Sequence, residues 1–268
     1  MTTNALRRPV VVTVSAVIMV VGTLAGFGLL GTRVEDSSGG VFSADATLVT
    51  PASPAFSIWS LIYLGLVAYV IWQWKERDSE RAASITWLAA ASMILNALWL
   101  GVTQVGWLWP SVIVILALAV VLGLQIRRLQ ARPARSRLET LVVDGTFGVY
   151  LGWVAVASVA NVTTVLVDSG VDPGEPWATT LAIVVLAVAA ALGLVFAATL
   201  GGRWSIAAAM AWALVWAAVG RLTTGPESVT VAVASFAAAA VILAAPALAR
   251  AGRLSFLTGA ARAGVGRA

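Results

Sequence analysis

Apolar positions in this chain run together in stretches of about 20 residues, separated by short polar connectors rich in Gly, Pro, Ser and Arg. A helix needs roughly that length to cross the hydrocarbon core of a bilayer. Eight stretches qualify: 9–32, 56–74, 84–105, 109–127, 139–167, 177–200, 204–220 and 229–249. The pattern predicts an all-α, polytopic membrane helical bundle of about eight transmembrane helices. Composition agrees with it, because the chain is 60% hydrophobic and only 11% charged, more apolar surface than a water-soluble fold of this size could cover.

Charge then orients the bundle. With the N-terminus taken as cytoplasmic, the inner segments hold Arg7, Arg8, Lys75, Arg77, Arg81, Arg127, Arg128, Arg132, Arg135, Arg137, Arg203, Arg250, Arg253, Arg262 and Arg267. These are 15 of the 17 basic residues, and only Arg33 and Arg221 fall outside. Such a partition follows the positive-inside rule, and a miscounted span would move every later loop to the other side. The expectation is therefore an integral protein of a bacterial cytoplasmic membrane with both termini cytoplasmic. The basic pI, about 10.7, then reflects arginines lying against anionic headgroups and calls for no nucleic-acid partner. A cleavable signal at the first span is disfavoured, since its apolar stretch is too long for a signal-peptide core. A homodimer through Gly22-x-x-x-Gly26 in that span is a further option.

Candidate chemistry is sparse. The chain has neither Cys nor His, which removes disulfides, thiolates and the commonest acid/base and metal ligand. Asp144, near the start of the fifth span, is one intramembrane carboxylate. It either has a functional role or reaches the headgroups or pairs with Arg135 or Arg137. Leu64, Tyr69 and Lys75 fit a loose sterol-contact pattern, to which no site is assigned.

The aromatic residues say more. Seven of the twelve Trp fall at predicted helix ends, where indoles form interfacial belts: Trp72, Trp74, Trp87 and Trp204 at one face, Trp107, Trp109 and Trp177 at the other. Trp59, Trp99, Trp153, Trp212 and Trp216 lie deeper. Phe56, Trp59 and Tyr63 share one helical face, as do Asn96 and Trp99, and as do Tyr150, Trp153, Ala157 and Asn161. At 1.5 Å of rise per residue, these three faces come to a similar depth in the outer half of the membrane. A carboxamide left unpaired in hydrocarbon costs several kcal/mol, so Asn96 and Asn161 should point inward. They serve either as interhelical glue or as the polar groups of an apolar small-molecule cavity.

The segments Ile58-Trp-Ser-Leu-Ile-Tyr63, Leu95-Asn-Ala-Leu-Trp99 and Tyr150-Leu-Gly-Trp-Val-Ala-Val-Ala-Ser-Val-Ala-Asn161 resemble, in order and by helix, signatures of the TspO/MBR family, the translocator or tryptophan-rich sensory proteins. The resemblance covers roughly residues 9–167. It implies a five-helix core that binds flat hydrophobic ligands, tetrapyrroles such as porphyrins or sterols, under a lid formed by the first loop. It places Trp59, Tyr63, Asn96, Trp99, Trp153, Ala157 and Asn161 around the ligand, with Phe56 and Tyr150 added by their shared faces. The chain departs from the family pattern in three places. Its 33–55 loop has no Trp, the place near Ser111 is neutral where the fourth helix usually opens with an Asp, and Val162-Thr163-Thr164 replace aromatic and Arg positions after Asn161.

The organisation expected is a five-helix TspO-like core over 1–167, an outer loop at 168–176, three additional helices over 177–249 and a basic cytoplasmic tail at 250–268. The functional expectation is a membrane sensor or carrier for a porphyrin-like or sterol-like ligand, with no cofactor and no catalytic or metal-binding residues. The alternatives are a membrane enzyme that degrades a tetrapyrrole, and a permease component, for which the inverted repeats and midplane ionisable groups expected of a permease are not found in the sequence.

Overall fold

The computed structural model describes residues 3–26, 31–171 and 173–257. Within them are eight helices long and apolar enough to cross a membrane: α1 Thr3–Gly26, α2 Ile58–Lys75, α3 Glu80–Gln104, α4 Leu108–Gln130, α5 Arg137–Asp168, α6 Trp177–Thr199, α7 Trp204–Thr223 and α8 Val229–Arg250. The protein is an integral membrane helical bundle. Every predicted span is present within a few residues, except that residues 27–30 of the first lie outside the described residues, as do Arg262 and Arg267 of the basic tail.

Local chemistry sets the helix boundaries. The Ser79 hydroxyl accepts the Ala82 N–H at the start of α3 (3.4 Å) and the Ser228 hydroxyl accepts that of Val231 at the start of α8 (3.3 Å). Each satisfies a donor that the first helical turn leaves unpaired. Gly106, at φ +74°, makes the tight reversal between α3 and α4 in a backbone region that suits glycine.

The first five helices close a ring in the spatial order α1, α3, α4, α5, α2 and back to α1. The last three form a second layer, with α7 against the outer side of α5, α8 on α7, and α6 on α8. The α5–α7 seam is made by small residues. A Cβ on Gly148 would meet Ser205 Cβ at 2.9 Å, and one on Gly152 would meet Ala209 Cβ at 2.9 Å and run into the Ile206 carbonyl. This is close-approach packing of the kind that holds helices together where lipid removes the hydrophobic drive. Gly22 plays the same part inside the ring, since its Cβ position lies 2.9 Å from Ala97 Cβ of α3. The Gly22 face considered for a homodimer is therefore occupied within the chain.

At the arginine-rich end, α5 contains a π-helical turn, Thr140–Gly145. The extra residue of such a turn re-aims the side chains within it, and here the turn carries Asp144 into a buried ion cluster. Arg81 donates to both Asp144 oxygens (2.8 and 2.7 Å) and to Glu139 (3.2 Å), its Nε donates to the Arg132 carbonyl (2.6 Å), and Arg203 donates to Asp144 from the start of α7. The partners of Asp144 are thus Arg81 and Arg203, not Arg135 or Arg137. Arg135 contributes only its backbone N–H, to Glu139 (2.7 Å). The nearby arginines in sequence lie along the chain leading into α5, whereas those that reach Asp144 come from helices packed across it.

The interfacial tryptophans behave as expected with one exception. Trp74, Trp87, Trp107, Trp109, Trp177 and Trp204 are exposed, but Trp72 is only 8% exposed and stacks on Tyr69 at 6.0 Å. It faces α5 inside the ring instead of the membrane surface, because Tyr69 packs in turn on Phe147 (4.8 Å).

Two outcomes are expected from these contacts. Gly152→Leu should push α7 off α5 and lower stability by at least about 1–3 kcal/mol, read as thermal or denaturant unfolding in detergent. Asp144→Asn should cost about 3–5 kcal/mol, because it leaves the buried Arg81 and the half-buried Arg203 guanidinium groups short of a counter-charge. Unchanged unfolding of the purified variant would show that the cluster contributes nothing.

Candidate ligand-binding site

The site lies at the end of the ring opposite the ion cluster. Helical periodicity turns one stripe of each of α2, α3 and α5 inward there. Trp59 stacks on Tyr63 (centroids 5.4 Å apart, 18° between planes) and meets Tyr150 and Trp153 edge-on at 6.0 and 6.1 Å. Phe56, just before α2, meets Trp153 edge-on at 5.7 Å. Pairs of this geometry contribute about 0.5–1.5 kcal/mol each beyond their buried area.

The two carboxamides do not bond each other. Asn96 is 0% exposed and accepts the Tyr63 hydroxyl (3.2 Å), while its Nδ2 has no hydrogen-bond partner. Asn161 accepts the Trp99 indole N–H (3.0 Å) and donates to Ser111 (3.0 Å), whose hydroxyl in turn donates to the Leu108 carbonyl (2.6 Å). Ser111 thus ties α4 to α5 through Asn161. Tyr150 donates to the Ser92 carbonyl (3.2 Å). The Trp153 indole N–H, 2% exposed, has no partner. A buried donor left without an acceptor carries its full desolvation cost, about 1–3 kcal/mol.

Two cavities flank this wall. One, of about 50 Å³, lies between α3, α5 and the first loop, and is lined by Trp99, Trp153, Val156, Ala157, Ala160, Asn161 and Thr164 together with Val34, Phe42, Thr50, Pro51 and Phe56, and Ala213 of α7. The other, of about 210 Å³, lies on the α1–α2 side, against Trp59, Tyr63, Thr23, Ser57, Ser60 and Leu100, with Arg33 and Glu35 at its rim. Val34 and Phe56 line both and form the partition between them. Even together they fall just short of the ~300 Å³ at the lower end of small-molecule pockets.

All nine residues singled out in the sequence come together here: Phe56, Trp59, Tyr63, Asn96, Trp99, Tyr150, Trp153, Ala157 and Asn161. Asn96 and Tyr150 sit behind the wall, against the residues that line the cavities. Among the lining residues missed by sequence reasoning are Val34, Phe42, Thr50 and Pro51 of the loop, and Ala213. The loop has no periodicity to reveal which side chains face inward, and Ala213 is one alanine among many on α7.

Much of the loop, residues 42, 44, 47, 49–52 and 55 included, is buried, and it is held from α7. Phe42 packs edge-on against Trp99 (6.3 Å), and Ala44, Thr47, Thr50, Ala52 and Ala55 are all shielded. Ser43 donates to Asp45 (2.5 Å) and holds its carboxyl below the usual carboxylate range, with the charge of Arg221 acting in the same direction.

No curated protein and no solved structure matches the chain. The family profile described as TSPO-like protein matches residues 9–247, from α1 into α8 and well past residue 167, where the motif resemblance stops. With almost the whole membrane bundle inside that match, the chain belongs to the TSPO-like protein family.

Proposed function

We propose that this protein is a membrane sensor or carrier that binds a flat, hydrophobic small molecule of tetrapyrrole or sterol type in the aromatic site between α2, α3 and α5. The family supports a ligand-binding membrane protein in general. The observation that carries the finer reading is the Trp153 indole N–H, buried without an acceptor in the wall of an apolar cavity. A ligand that stacks on the aromatic wall and brings a carbonyl or carboxylate oxygen to Trp153 would satisfy that donor. Convergent polar groups in an otherwise apolar cavity orient a ligand and give it specificity.

The cavities are narrower than a tetrapyrrole requires. Binding therefore displaces Phe56, the partition both cavities share, and merges the two spaces into one slot. Apart from Arg33 and Glu35 at the rim, the groups around the slot are indole, phenyl, hydroxyl and carboxamide, which stack and hydrogen-bond but do not transfer protons near neutral pH. This favours binding over turnover, and makes the protein a carrier or sensor in preference to an enzyme that degrades its ligand.

The test is quenching of intrinsic tryptophan fluorescence by protoporphyrin and by a fluorescent sterol. Saturable quenching is expected in the native protein. Ala157→Leu fills the cavity without touching a hydrogen bond and should abolish saturation while leaving the unfolding midpoint nearly unchanged. Trp153→Phe keeps an aromatic ring and removes the donor, and should weaken binding of an acceptor-bearing ligand about tenfold, the equivalent of one hydrogen bond of about 1.4 kcal/mol. If Ala157→Leu binds both probes as the native protein does, the site lies elsewhere. Product analysis after illumination of the porphyrin complex separates binding from breakdown, since recovery of intact porphyrin is the outcome expected.

A further inference from the structure

We propose that α7, a helix outside the five-helix ring, anchors the first loop as the roof of the ligand cavity, and that Arg221 is the positioning residue that fixes it. As a statement about ligand retention this rests on the binding reading above; as a statement about the loop it does not.

A connecting loop normally runs over the surface with its backbone solvated. Much of this one is buried, including Ala44, Thr47 and Ala55, so the carbonyls of these residues need protein donors, and α7 supplies them. The Arg221 guanidinium is 1% exposed and donates to the carbonyls of Thr47 and Ala44 (2.7 Å to the latter), and also to the Gly225 carbonyl at the end of its own helix. One turn apart along α7, the Trp212 indole donates to the Ala55 carbonyl (3.0 Å) and the Trp216 carbonyl accepts the Ala52 N–H (3.1 Å). Gly220, one turn further, lets the Ala52 backbone approach closely, a Cβ there lying 3.4 Å from the Ala52 nitrogen. Trp212, Trp216 and Gly220 thus make one stripe of α7 against residues 52–55, and Arg221 extends it to residues 44–47.

The segment held this way is the one that closes the cavity. Phe42, Thr50 and Pro51 line it from the loop, and Ala213 lines it from α7 beside the same stripe. Arg221 itself does not line the cavity, so its effect on a ligand is exerted through the loop. A guanidinium presents a fixed fan of N–H donors that can bridge several carbonyls at once. A lysine ammonium in its place would keep the charge but not this geometry.

The native chain contains no cysteine, so a single introduced thiol reports on the loop without background. Ala44→Cys places one at a buried position whose carbonyl accepts from Arg221, and Ala232→Cys places a control thiol on the buried side of α8. Labelling by a charged maleimide should be slow at both. Adding Arg221→Met should speed labelling of the loop thiol about tenfold or more, the change expected from losing hydrogen bonds to a charged donor, and leave the α8 thiol slow. Arg221→Lys should fall between. In the same proteins, protoporphyrin should dissociate faster as the loop thiol becomes more reactive.

If Arg221→Met does not fold, Trp212→Phe, which removes only the bond to Ala55, takes its place with the same expectation. Unchanged labelling of the loop thiol, or equal acceleration at both thiols, overturns the anchor. Selective acceleration without any protoporphyrin or sterol binding by the native protein leaves the anchor standing and removes the ligand reading. Selective acceleration with an unaltered dissociation rate overturns the link between roof and ligand.

Discussion

A backbone or side-chain donor inside a bilayer has no water to turn to, and this one constraint shapes every part of the bundle. At the arginine-rich end it gathers Arg81, Arg203, Glu139 and Asp144 into a neutral cluster around a π-helical turn. At the opposite end it pairs Trp99 and Ser111 with Asn161, Tyr63 with Asn96, and the carbonyls of the first loop with Arg221 and Trp212. Among the places where the rule is broken are the Trp153 indole and the Asn96 amide nitrogen, in and just behind the aromatic wall. Unsatisfied groups are costly enough to be rare in native interiors, and the Trp153 donor is the one that lies in the wall of a cavity.

The two layers divide the labour. The five-helix ring carries the aromatic wall and the carboxamides, and the outer layer bears on the ring along α5 and on the loop above it. The Gly148 and Gly152 seam brings α7 close enough for its indole and guanidinium to reach loop backbone. The family match extends through this second layer, which accords with α7 being structurally continuous with the ring.

Much of this was legible in the sequence because it depends on local periodicity. Runs of apolar residues located all eight helices, and helical spacing placed Trp59, Trp99, Trp153 and Asn161 on inward faces. Pairings between elements far apart in sequence were not legible. Asp144 was read against Arg135 and Arg137, its neighbours along the chain, but its partners arrive from 63 and 59 residues away. Trp72 had the position of an interfacial anchor, and only Tyr69 beside it and Phe147 across the bundle turn it inward. Arg221 stood out as one of two basic residues on the wrong side of the charge partition. Its function became visible only when the loop backbone it serves was in place.

The bond between Arg221 and Thr47 spans 174 residues. At ribosomal elongation rates of about 5–20 residues per second, about 10–35 s separate the synthesis of the two partners. The fifth ring helix ends at Asp168, so for about the last 3–11 s of that interval all five walls have been made while nothing yet secures their cover. Securing the roof is thus a late step of assembly, open to the chain only once the seventh helix has docked on the fifth.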